Sequence, residues 1–138
     1  IASAVDYAFA TEAAHVKLSE LAVGIGPFVV GPAVERKIGL SAMSDLAINA
    51  SAWRSARWAE SKGLYAQVYE TTQLMDEAIS ILTDKLTNSN PAAMANLKQV
   101  FWQGTAHWDT LLNERAEISG ELVLSDFTKN AIQSFKKS

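Results

Sequence analysis

The chain has no cysteine, no cationic excess and no long unbroken apolar run, and each absence removes a class of protein. Without cysteine there is no disulfide framework, no thiolate zinc site and no thiol nucleophile. The same absence is compatible with a reducing compartment. Twelve Lys and Arg against fifteen Asp and Glu leave a net charge of −3, so nothing in the balance favours gripping a phosphate backbone, and nucleic acid is not an expected partner. The longest apolar stretch, residues 21–34, is interrupted by Gly24, Gly26, Pro27, Gly31 and Pro32. It is too short and too punctuated to span a bilayer. No basic stretch, apolar run and small-residue cleavage site open the chain, so a soluble protein, cytoplasmic and without a membrane partner, is expected. What is present is a 49% hydrophobic composition over 138 residues, enough for one compact core. The first residue is Ile1, not Met, which points to a processed or cut N-terminus.

Two regions differ in texture, and a division into residues 1–70 and 71–138 is expected. In the first, Tyr7-Ala8-Phe9-Ala10 and His15-Val16-Lys17-Leu18 have the look of short strands. A glycine- and proline-rich loop over residues 24–32 hands over to a helix running toward Glu35, Arg36 and Lys37. Further helices are expected over residues 41–48 and 55–62, the latter stopped by Gly63, with a short strand over 64–69. In the second region the helix signals agree with one another. Leu74, Ala78, Ile81 and Leu82 follow helical spacing, with Asp76 and Glu77 toward the start and Lys85 toward the end. Asn90-Pro91 is a cap followed by proline at the first helical position, opening a helix whose apolar stripe includes Met94, Leu97 and Phe101. Trp108, Leu111, Leu112, Ile118 and Leu122 mark another amphipathic helix, and Ser125-Asp126 can cap a last one. The pattern is that of an α/β or α+β protein, yet so few short strands cannot form a covered sheet. Most of the sheet must come from elsewhere.

Few residues stand out chemically. Gly24, Gly26 and Gly31 have neither the dinucleotide nor the phosphate-loop spacing, and a tight turn before a helix is their commoner role. His15 and His107 have no second ligand at helical spacing, so no metal site is expected. Trp53, Trp58, Trp102 and Trp108 fit either a flat ligand pocket or core and subunit contacts. Glu20 closes the alternating segment and opens the apolar one, which places its carboxylate at a strand end against nonpolar walls. That setting suits general acid/base work, although composition and spacing alone favour a surface or ion-paired acid, since structural acids outnumber catalytic ones.

Taken together, the run IASAVDYAFATEAAHVKLSELAVGIGP, then ERKIGLSAMSDLAI, then RSARWAESKGLYAQVY resembles the second half of the enoyl-CoA hydratase/isomerase (crotonase) superfamily. Asp6 stands where that family has an Asp after an Ala-rich helix end. Glu20, Gly24 and Pro27 match its Glu and Gly-Pro turn, and Ala56, Ala59, Gly63 and Leu64 match its Ala-x-x-Ala-x-x-x-Gly-Leu helix. The resemblance implies a crotonase-like α/β fold, here its second half, with residues 71–138 as a trimerisation and active-site-cover region. It implies a hydratase-like lyase that adds water to a 2-enoyl-CoA thioester, or an isomerase that moves a proton through Glu20 alone, or a non-catalytic fragment with an assembly role. Glu20 would be the second catalytic glutamate. The enolate oxygen would be held by two backbone N–H groups, and those donors and a first glutamate would come from sequence ahead of Ile1. Gly24, Pro27 and Phe28 are implied substrate-binding positions. Phe28 and Val29 replace family glycines and would crowd the acyl pocket. Lys136 and Lys137 are implied partners of the coenzyme A phosphates, although two terminal lysines also suit the helix dipole. No cofactor is implied, since acyl-CoA is the substrate, and the implied partners are further copies in a trimer or hexamer and the missing half of the same domain.

Overall fold

A computed structural model describes residues 1–135. The only sheet among them is a parallel pair, β1 (Phe9–Thr11) and β2 (Gln67–Tyr69), with Phe9 opposite Gln67, Ala10 opposite Val68 and Thr11 opposite Tyr69. A parallel pair needs a long crossover, and here it is helical. Ala10 and Val68 face the core from the middle of each strand, and both are buried. The first strand begins two residues later than the alternation implies. His15 to Leu18 is not a strand: Val16 alone forms an antiparallel bridge with Arg54. The alternation there reflects Val16 and Leu18, which are partly buried against the core.

The crossover contains α1 (Gly31–Ile48) and α2 (Ala56–Ser61). Pro32 occupies the first turn of α1, where its missing N–H costs nothing. The two helices expected over residues 32–48 form one run interrupted at Gly39, whose φ of 78° and ψ of 160° leave the helical region. Val34, Ile38, Ala42, Met43 and Leu46 recur at helical spacing on either side of this break, and all are buried. Ser55 caps α2 by accepting from the Trp58 N–H at 3.1 Å. Ala56 and Ala59 are almost wholly enclosed, since α2 lies too close to its neighbours for larger side chains. Gly63, with φ of 80°, turns the chain out of α2.

Four helices follow: α3 (Thr72–Thr87), α4 (Pro91–Phe101), α5 (Trp108–Val123) and α6 (Asp126–Phe135). Their starts are chemically determined. Thr71 accepts from the Leu74 N–H, Asn90 from those of Ala92 and Ala93, and Ser125 from that of Thr128. Asp76 and Glu77 therefore lie beyond the first turn of α3. The stripes predicted for α3 to α5 exist but none of their residues is fully buried among those described: Ala78, Leu82, Trp108, Leu111, Leu112 and Leu122 are half-buried, with α3 lying against β1 and β2, while α4 is exposed along its length. Ile81 is 57% exposed and Leu97 and Phe101 each 50%. The apolar core is confined to residues 10–68, with Leu46, Ala59, Tyr65 and Val68 near its centre.

One polar cluster ties α4 to the first region. The Asp6 carboxylate accepts from Lys98 Nζ and from Trp102 Nε1, each at 2.6 Å. The Arg36 guanidinium lies 4.2 Å from the centre of the Trp102 ring and donates to the Phe101 carbonyl. Lys37 Nζ donates to the carbonyls of Val5 and Asp6. The Lys98 hydrogen bond holds the Asp6 carboxyl below its usual range, with Trp102 and Arg36 acting in the same direction. A lowered folded-state pKa adds stability above the ordinary carboxylate range, and that stability is lost as pH falls through the lowered value. Acidification below about pH 4 should therefore loosen α4, and Asp6→Asn should do so at neutral pH while removing the pH dependence. Hydrogen exchange of α4 amides against pH is the measurement. The effect should be modest, because the Lys98 partner is more than half exposed.

Candidate active site

Glu20 does not end a strand. It opens a single 3-10 helical turn, Glu20–Val23, closed by Gly24 at φ 85°. The Gly24 N–H donates to the Leu21 carbonyl at 3.1 Å, and the Ile25 N–H to the Glu20 carbonyl at 3.0 Å. No residue of the turn is fully buried, and Leu21, which follows Glu20, is 48% exposed. The Glu20 residue as a whole is half-buried. Its Oε2 is enclosed and has no hydrogen-bond partner among the described residues. Buried polar atoms are nearly always paired, which sets this oxygen apart.

Gly24 is required twice over. Its φ lies in the left-handed region that side chains disfavour, and a Cβ there would sit 2.5 Å from Phe127 Cδ1 and 2.6 Å from Thr128 Oγ1 of α6. At Gly26 a Cβ would meet the ring of Phe28 at 2.4 Å. Phe28 thus folds back over its own turn, its N–H donating to the Gly26 carbonyl at 2.8 Å. Pro27 and Phe28 line a cavity of about 270 Å³ that also touches Pro32, Met43, Ile48 and Arg115. Glu20 is not part of that lining. Val29 is 42% exposed. The structure therefore brings Pro27 and Phe28 together at one cavity and sets Gly24 against α6. Lys136 and Lys137 lie outside the described residues.

The other candidates are dispersed. His107 is the residue before α5, and His15 is exposed in the segment after β1. Trp102 and Trp108 meet edge to face with ring centres 6.0 Å apart, while Trp53 is 60% exposed with Lys17 Nζ 4.6 Å from its ring. The four tryptophans do not form one wall. Sequence reasoning missed Thr128, whose side chain is completely buried against the Glu20 turn. Its only local signal was the cap at Ser125, which says where α6 starts and nothing about what it touches.

A parallel strand pair joined by a helical crossover, followed by a helical region, is part of a crotonase-like α/β fold, and comparison with solved structures shows this directly. An enoyl-CoA hydratase/isomerase from Pseudoalteromonas atlantica T6c superposes with a TM-score of 0.85 at 20% identity, covering 99% of this chain and 55% of that one. An enoyl-CoA hydratase from Bacillus halodurans gives 0.85 at 19%, covering 96% and 53%. One from Mycobacterium avium gives 0.84 at 24%, covering 99% and 53%. The chain spans about half the length of these structures, and at such identities the likeness is one of fold. The sequence model of the enoyl-CoA hydratase/isomerase family matches residues 1–137, and the chain belongs to that family of enzymes. No curated protein sequence matches it closely enough to add a relative. None of the helices among the described residues is long and apolar enough to cross a membrane.

Proposed function

We propose that this chain is the second half of an enoyl-CoA hydratase, and that Glu20 is the acid/base that delivers a proton to the α-carbon of a 2-enoyl thioester as water adds to the β-carbon. The observation that carries this reading is the buried, unpartnered Oε2 of Glu20 at the head of a turn fixed by Gly24. An enclosed carboxyl with no internal partner is free to hold a water and exchange a proton with it. A second glutamate and the two backbone donors for the enolate oxygen belong, in this reading, to residues outside the chain. Pro27 and Phe28 shape the acyl end of the site, Gly24 leaves room for α6 to close on the Glu20 turn, and Lys136 and Lys137 meet the coenzyme A phosphates.

The open apolar face of α4 fits the same proposal. Leu97, Val100 and Phe101 are about half exposed, more apolar surface than a helix leaves open without a partner. The rest of the domain and neighbouring subunits of a trimer or hexamer would cover it. The test is a hydration assay on the full-length protein with crotonyl-CoA, followed by loss of the enoyl thioester absorbance. Net hydration is expected. Exchange of α-protons with solvent but no net hydration would replace the hydratase reading by isomerase chemistry, and neither activity would leave an assembly role.

A further inference from the structure

Helix α6 reaches back over the turn that carries Glu20. From Thr72 onward, Thr128 is the only buried residue among those described, and its side chain has no exposed surface. Its Oγ1 and the ring of Phe127 occupy the space where a side chain at Gly24 would begin. Gly24 and Ile25 in turn supply the N–H groups that hold the carbonyls of Leu21 and Glu20. A single 3-10 turn has poor hydrogen-bond geometry and little stability of its own, so its shape is set by what packs on it. Here that is α1 and α6. Thr128 is itself pinned, because its N–H donates to Ser125 Oγ and the two hydroxyls are 3.2 Å apart.

We propose that Thr128 is a positioning residue for Glu20: α6 presses through Thr128 on Gly24 and so fixes the turn that aims the Glu20 carboxylate. The inference rests on the acid/base reading of Glu20. It gives α6 a part in turnover, since a proton-transfer group must be held within a fraction of an ångström of its productive place.

The test uses the full-length protein and two readouts. Thr128→Ala should lower kcat for crotonyl-CoA hydration about tenfold while KM changes by less than about twofold, in line with the cost of misplacing a catalytic group. Thr128→Ser keeps Oγ1 over Gly24 and should return kcat to within about twofold of wild type. Independently of catalysis, the amides of Gly24 and Ile25 should exchange about tenfold faster in Thr128→Ala, as local opening of the turn becomes easier. If Thr128→Ala does not fold, Phe127→Ala removes the other contact on Gly24 from a side chain that is 67% exposed, and the same results are expected of it. Unchanged exchange at Gly24 and Ile25 overturns the proposal, as does an equal loss of kcat in the Ala and Ser variants. A Glu20→Gln protein with wild-type activity overturns it too. In that case faster exchange in Thr128→Ala would show that the chemistry assigned to Glu20 had failed and not the support of its turn.

Discussion

Glu20→Gln in the full-length protein is expected to lower the rate of crotonyl-CoA hydration by roughly 10²- to 10⁴-fold, the usual contribution of a positioned acid/base. The substitution preserves size and shape, and the backbone of the turn is held by main-chain groups that it does not touch: Ile25 N–H on the Glu20 carbonyl and Gly24 N–H on that of Leu21. The buried Oε2 has no protein partner to lose, so an amide in its place breaks no internal hydrogen bond among the described residues. Folding should therefore be nearly unaffected while proton transfer is lost. Thermal unfolding of the variant measured beside its kinetics separates the two. A variant that hydrates crotonyl-CoA at the wild-type rate would show that Glu20 is not the acid/base.

Leu46→Ala should destabilise the protein by about 3 kcal/mol, within the range for removing a buried leucine side chain and leaving a cavity. Leu46 is 3% exposed and lies in the cluster with Ala42, Met43, Ala56, Ala59 and Val68. Three of those neighbours are alanines, whose side chains cannot extend to fill the space, and Val68 is held in the strand pair. A loss of that size is a large fraction of the 5–15 kcal/mol that holds an ordinary domain together. Urea unfolding of the full-length protein gives the measurement, and a loss below about 1 kcal/mol would mean that the core is not centred between α1 and α2. The contrast with α3 to α5 is instructive, because Leu97 and Phe101 are half exposed and cannot contribute comparably from within this chain.

Much of this architecture was open to a reading of the residues in order. Ser55, Asn90-Pro91 and Ser125 begin helices because their side chains accept from N–H groups two or three residues on, and Gly63 ends one because it tolerates a positive φ. These are interactions of a few residues' range, complete within the segment that displays them. The order Asp6, Glu20, Gly24, Pro27, then Ala56, Ala59, Gly63 and Leu64, likewise announced the family, which the match over residues 1–137 bears out.

Other features depend on residues far apart in the chain. Alternation made His15 to Leu18 resemble a strand, but a strand exists only where a partner lies alongside, and Val16 has just one bridge, to Arg54. The pairing of Phe9–Thr11 with Gln67–Tyr69 is likewise set by where α1 and α2 return the chain. Apolar spacing identified α3 to α5 correctly and gave no sign that the face of α4 is exposed here while those of α3 and α5 are half-covered, since periodicity records that a face is apolar and not what covers it. The residue type and neighbourhood of Glu20 were legible from the start. That its Oε2 is enclosed and unpaired is a property of the folded chain, and that its turn is braced by a threonine more than a hundred positions later was decided only when α6 folded back onto Gly24. Local propensity places elements, whereas burial and pairing are properties of distant groups brought within a few ångströms, and no window of sequence contains both.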